Sequence, residues 1–165
     1  VRFGQSSGTA FVLRAGCFNL KFDGNETNNT ASSPDAAVLV RNCRFFQMVG
    51  VEIRESEGVG LHEVSSLNGD GTHPGQFNVY DRCSFFSNNV GGAFFESPKY
   101  NRFSNIVSDN NNTGYGLRFA EQSGIDSTQC TMVNVLCQGN GDSGNPSSGY
   151  GISFEGCQRF SLSNV

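Results

Sequence analysis

Six segments of the chain repeat one pattern of small, apolar, free and apolar positions. They are SGTAFVL at 7–13, DAAVLV at 35–40, GVGLHEV at 58–64, VGGAFFE at 90–96, TGYGLRF at 113–119 and SGYGISF at 148–154. With Gly116 as anchor, the equivalent residues are Ala10, Ala37, Gly60, Gly92 and Gly151, all small. The next position is apolar in every segment, and two residues further on come Leu13, Val40, Glu63, Phe95, Phe119 and Phe154. Alternation with a period of two predicts short strands with one buried face. Leu117, Ile152, Phe119 and Phe154 are therefore expected to point inward, and Arg118 and Ser153 outward. Glu63 breaks the pattern, and a bulge that turns it outward is the expectation. The alternative is a carboxyl kept inside for a reason, such as a raised pKa.

A second apolar run follows in most repeats: NCRFF at 42–46, RCSFF at 82–86, FSNIV at 103–107, VNVLC at 133–137 and FSLSNV at 160–165. Asn-rich turns close several of them, at Asn88-Asn89, Asn110-Asn111-Asn112 and Gly139-Asn140. Anchors at 10, 37, 60, 92, 116 and 151 stand 27, 23, 32, 24 and 35 residues apart. The floor near 23 fits one turn of a solenoid, and larger spacings fit the same turn with an insertion. A unit this short must stack on copies of itself to bury its apolar face. The predicted fold is all-β, a right-handed parallel β-helix of about six coils in one domain over 1–165, read as a section of a longer chain. An antiparallel sandwich would show hairpin turns and no long period. Insertions are expected at 23–34, 66–76, 121–129 and 139–148, with 66–76 and 121–129 leaving from the same edge.

Composition changes this picture little. The 21 Gly and 18 Asn supply turns. The net charge of −4, with Lys21 and Lys99 the only lysines, leaves no basic stripe for nucleic acid. No apolar run is long enough to enter a membrane as a helix. The six cysteines form no C-x-x-C pair, so free buried thiols are expected, with a disulfide framework as the alternative in a secreted protein. Asn25-Glu26-Thr27, Asn28-Asn29-Thr30 and Asn111-Asn112-Thr113 match the glycosylation acceptor pattern. No metal or other cofactor is expected.

The G-x-G-apolar strands, the N-C-x-F-F pattern and the Asn-closed repeats resemble the pectin-lyase-like superfamily of parallel β-helix proteins, over essentially the whole chain. Within it, the motifs of polygalacturonases, alginate epimerases and pectate lyases are missing. The loop-decorated repeats look most like a bacteriophage tailspike or tail fibre. That resemblance implies contact with, or degradation of, cell-surface polysaccharide, a homotrimer, and a virion tail or extracellular location. A secreted polysaccharide lyase, hydrolase or epimerase is the alternative, and a purely structural spacer a third reading.

Stacked repeats turn register into distance, about 4.8 Å per strand. One outward line would hold Val12, Leu39, His62, Phe94, Arg118 and Ser153. His62, Phe94 and Arg118 together would suit an anionic sugar through stacking and charge-assisted hydrogen bonds, or would be an ordinary exposed face. A second line holds Glu96 and Glu155, with Glu121 displaced by one residue on the repeat between them. Paired carboxyls at such spacings can hydrolyse a glycosidic bond, so Glu96 and Glu121 are the candidate catalytic pair, with Glu155 and Glu63 as alternates. Asp70, His73 and Asp126 in the neighbouring loops complete the candidate binding set. Solvated turn residues would produce the same pattern.

Overall fold

The computed structural model describes residues 1–4, 12–24, 36–65, 76–121, 128–141 and 149–165. Among them the chain is all-β, with no helix. One sheet consists of β1 (Arg2–Gly4), β5 (Ala36–Arg41), β9 (Val59–Val64), β12 (Gly91–Glu96), β14 (Tyr115–Ala120) and β16 (Tyr150–Glu155), in that order. A nine-stranded sheet has two limbs. The first is β3 (Gly16–Phe18), β7 (Gln47–Val49), β10 (Val79–Asp81), the start of β13 (Arg102–Asp109), the start of β15 (Thr131–Gln138) and β17 (Ser161–Ser163). The second is β4 (Lys21–Asp23), β8 (Glu52–Arg54), β11 (Ser84–Phe86) and the later halves of β13 and β15. A small third sheet pairs β2 (Val12–Leu13) with β6 (Cys43–Arg44). Every strand pair is parallel, and each strand pairs with its counterpart one repeat away. This solenoid-like stacking is what the repeated pattern demands.

Bends between the strands recur at positive φ. One line of them is Asn19, Gly50, Arg82, Asn105, Asn134 and Asn164, with φ from 50° to 65°. Asn and Gly tolerate this conformation best, which explains much of the Asn and Gly content.

Inside, side chains of equal register stack. Leu61, Ala93 and Leu117 form one buried line, and Phe95 and Phe119 stack in the next at 5.0 Å between ring centres. Phe103, from the nine-stranded sheet, meets both edge-on. Each such ring contributes roughly 1.5–3 kcal/mol by burial. Arg118 and Ser153 lie on the outer face, as expected; Phe154 caps Phe119 but is itself 40% exposed because β16 ends the sheet. The small anchor positions have a packing cause. A Cβ on Gly60 would stand 2.7 Å from the Gly92 carbonyl oxygen and 2.8 Å from Asn88 Nδ2. One on Gly116 would meet Gly151 O at 2.6 Å and Asn140 Nδ2 at 2.7 Å.

Three expectations need correction. The strand in register with Leu39 in the first repeat is Arg2–Gly4, so Val12 leaves the outward line and Arg2 replaces it. Val12 instead pairs with Cys43, one bend further on; a short apolar run such as F-V-L fits either place. The runs at 42–46 and 82–86 are likewise not equivalents, since Ser84 pairs with Glu52 while Arg44 bridges to Gln76.

The third concerns Glu63. No bulge interrupts β9: Glu63 pairs in register with Val40 and Phe95, and it is 1% exposed. Its carboxyl accepts hydrogen bonds from Asn78 Nδ2 at 3.0 Å, Tyr80 Oη at 2.6 Å and Asn101 Nδ2 at 2.9 Å. Burial pushes its pKa up, against these donors and the nearby His62. The donors come from the nine-stranded sheet and the bend before it, so the repeat around Glu63 gave no sign of them. The paired strings FNVYD at 77–81 and YNRFS at 100–104 did carry the signal.

All six cysteines are free. Cys17, Cys43, Cys83 and Cys130 are buried, and burial raises the thiol pKa of Cys43, Cys83 and Cys130 to about 12. They behave as small core residues.

Candidate functional site

The outer face of the six-stranded sheet carries Arg2, Leu39, His62, Phe94, Arg118 and Ser153 in one line. Parallel pairing places His62, Phe94 and Arg118 on successive strands, as the sequence predicts. The His62 and Phe94 rings stack at 4.9 Å with 8° between planes, and the Arg118 guanidinium lies 4.8 Å from the Phe94 centroid. Arg118 also lies over Tyr115, at 5.8 Å. β9 and β14 flank β12 on opposite sides, so both faces of Phe94 are covered. Only ring edges remain for a ligand, which departs from the stacking platform expected of Phe94.

Arg118 is also engaged. Its Nε and Nη2 donate to the two Glu155 carboxylate oxygens at 2.8 and 2.7 Å, a bidentate pair. The Glu155 contact raises the Arg118 pKa, and Arg118 in turn holds the Glu155 carboxyl below its ordinary range. Ser153 Oγ donates to the same carboxylate at 3.3 Å. Burial lifts the neighbouring Tyr115 phenol to about 12. His62 Nε2 lies 3.4 Å from Glu96 Oε2, an ion pair only when the imidazole is protonated; the contact lacks hydrogen-bond geometry.

Glu96, Ala120 and Glu155 share one line, and Glu121 follows on the bend. The displaced arrangement read from sequence is therefore present. Two strand spacings separate Glu96 from Glu155, about 9.6 Å. An ionised, salt-linked Glu155 is suited to orienting Arg118, and poorly suited to delivering a proton. Glu63 lies on the opposite, inner side of the sheet, out of reach of any polymer. Ser65 and Glu121, from which the two inserted segments leave, stand in equivalent places. Asp70, His73 and Asp126 lie outside the described residues, as do the acceptor patterns at 25–27 and 28–30. Asn111 is fully buried, so its pattern cannot carry a glycan in the folded chain. Among the described residues, no three His, Cys, Asp or Glu side chains gather to hold a metal.

One surface feature escaped the sequence reading. Arg14, Phe45, Phe77, Tyr100, Gln129 and Arg159 form a line along a bend, each at positive φ. The signal was available as the residue before each inward Phe46, Asn78 and Asn101, but the strand periodicity does not extend through a left-handed residue.

Comparison with protein-family models, curated proteins and solved structures finds no match for this chain.

Proposed function

We propose that the chain is a section of right-handed parallel β-helix, about six coils long, in a tailspike- or tail-fibre-like protein. It acts as a rigid shaft whose side faces contact cell-surface polysaccharide. A virion tail or extracellular location and a homotrimeric assembly go with this reading. The observation that carries it is the unbroken parallel register across the six-stranded sheet, which draws surface side chains into straight lines along the stack. A linear polymer is a natural ligand for such lines, because one ligand can meet the same position of several repeats. Contact is favoured over cleavage by Glu155, since its carboxylate is held ionised by Arg118.

The test is incubation of the protein with purified surface polysaccharides of candidate bacterial hosts. Binding is followed by titration and polymer length by size-exclusion chromatography. Binding without shortening supports the proposal. Shortened products that vanish in both Glu96→Gln and Glu121→Gln would instead establish a depolymerase. Neither binding nor shortening would leave only a spacer.

A further inference from the structure

The first limb of the nine-stranded sheet presents a trough unlike the face described above. Its strands are three residues long between two bends, so each repeat exposes two strand side chains and two bend side chains. One wall is the aromatic line Phe45, Phe77 and Tyr100. These rings stack at 5.4 and 4.9 Å and are 42%, 42% and 38% exposed. The other wall carries Gly50, Arg82 and Asn105 opposite these rings and continues as the amide line Asn105, Asn134 and Asn164, joined by side-chain hydrogen bonds of 3.1 and 3.0 Å. Two grooves lie in the floor. One of ≈ 470 Å³ touches Arg14, Phe18, Phe45 and Gln47. The other, of ≈ 460 Å³, touches Val49, Val79, Asp81, Arg102, Asn105 and Asn134. They adjoin through β7, which lends Gln47 to the first and Val49 to the second.

Two features set this face apart from ordinary surface. The aromatic residues sit at φ of 56° to 58°, a conformation that costs a side chain with a Cβ about 1 kcal/mol or more. Gly50, Asn105 and Asn134 meet the other bend with residues that tolerate it, Arg82 being the exception. Positive φ recurs at bends throughout the stack, and what distinguishes this bend is that three successive repeats expose an aromatic ring on it, a mark of a working surface. Phe18 adds a ring that is 53% exposed and has no ring partner among the described residues.

Charge is the second feature. In a chain of net charge −4, the outward side chains of this limb and its bends include Arg14, Arg82, Arg102 and Arg159 against the single acid Asp81. Asp81 pairs with Arg82 at 3.2 Å and accepts from Ser104 Oγ at 2.8 Å and Asn105 Nδ2 at 2.9 Å. Arg14 and Arg159 are exposed and make no ion pair with any described residue; Arg102, also exposed, shares its groove with Asp81 and helps hold that carboxyl below its ordinary range without closing an ion pair.

We propose that this trough binds a linear polysaccharide bearing carboxylate or sulfate groups, laid along the stack between its two bends, past the aromatic rings of one and then the amides of the other. Arginines at the floor and rim meet the anionic groups, amides meet hydroxyls, and ring edges with Phe18 meet the apolar faces of the sugars. Strand spacing of about 4.8 Å is comparable to the advance of one sugar ring, so successive repeats address successive sugars. This inference rests on the reading that the chain meets glycan, and it moves the contact away from His62, Phe94 and Arg118.

The experiment holds the backbone of the ligand constant. The whole protein is titrated with carboxymethyl-dextran, dextran sulfate and unmodified dextran, alongside Arg14→Gln, Arg102→Gln, Phe77→Asn and, on the opposite sheet, Arg118→Gln. One or both anionic polymers should bind, the preferred one naming the group recognised, and dextran should bind at least about tenfold more weakly. Arg14→Gln and Arg102→Gln should each weaken binding about tenfold, the loss of one charge-assisted hydrogen bond. Phe77→Asn, which suits the bend, should weaken binding without lowering the melting temperature. Equal binding of dextran, or loss in Arg118→Gln with the trough variants unaffected, would overturn the proposal. Binding of a host surface polysaccharide that the trough variants leave unchanged would overturn the trough while the general function stands.

Discussion

Two lines of asparagine run along the molecule, one inside and one outside. Asn88 and Asn111 are fully buried, with Asn140 half-buried beyond them. Asn111 Oδ1 accepts from the backbone N–H of Asn88 at 3.0 Å and from Asn88 Nδ2 at 2.9 Å, and Asn111 Nδ2 donates to Asn140 Oδ1 at 2.7 Å. Asn105, Asn134 and Asn164 make similar amide-to-amide bonds on the surface, but bond no backbone group there. Residue type and period are the same in both lines. The inner line satisfies the backbone of the neighbouring repeat where water cannot, and it packs above the glycines of the six-stranded sheet. The outer line competes with water for every bond. Burial, rather than the hydrogen bond itself, decides what a line contributes.

The largest effect should come from putting charge on the apolar line beside the inner amides. Leu117 is 1% exposed, and Leu117→Asp should cost more than about 4 kcal/mol and leave little folded protein by circular dichroism. Next is Asn111→Ala, which strips partners from Asn88, from Asn140 and from the Phe85 carbonyl. About 3 kcal/mol should be lost, read from the urea midpoint. A loss no greater than that of a surface amide would break the contrast between the two lines.

Glu63 sharpens the contrast through pH. Burial raises its pKa above the ordinary carboxyl range, so the folded state holds the proton more tightly than the unfolded chain. Its contribution is whole below the ordinary carboxyl pKa. It declines as pH rises through the interval up to the folded value, because there the unfolded chain alone has released its proton. Asp81 and Glu155 run the other way: their folded pKa values are lowered, and their contributions are lost as pH falls. Subtracting the melting curve of Glu63→Gln from that of the unaltered protein isolates Glu63. The difference should fall with rising pH. A difference that is flat or rises across that interval would mean that the carboxyl is stably ionised in the folded chain.

The repeat was legible because side chains in a strand alternate regardless of what lies across the interior. His62, Phe94 and Arg118 could be aligned that way, as could Glu96, Ala120 and Glu155. Glu63 could not be understood from its own segment, since Asn78, Tyr80 and Asn101 come from other parts of the repeat. Nor could the alignment foresee that Phe94 would have both faces covered, because this follows from the stacking of side chains on neighbouring strands. The aromatic bend was missed for a related reason. A left-handed residue interrupts the alternation, so Phe45, Phe77 and Tyr100 belong to no strand pattern. Arg2 was displaced by Val12 in the first repeat because apolar periodicity alone could not choose between two pairings.

The smallest effect, and the most exacting test of the contrast, is expected at Asn134. Its φ is 53°, and its side chain makes exposed bonds to Asn105 and Asn164. Asn134→Ala removes those bonds and also places a Cβ without a compensating amide in the left-handed region. It should cost about 1 kcal/mol, nearly all of it from the backbone. Asn134→Gly removes the same two bonds but relieves the backbone. Gly50 already occupies the same line two repeats before Asn105, so the bend accepts glycine. Its stability should lie within about 0.5 kcal/mol of the unaltered protein. If Asn134→Gly were as damaging as Asn111→Ala, the outer amides would be carrying weight through their bonds, and burial could not be what separates the two lines. If Asn134→Ala and Asn134→Gly were equally mild, the bend would impose no preference for residues that tolerate positive φ.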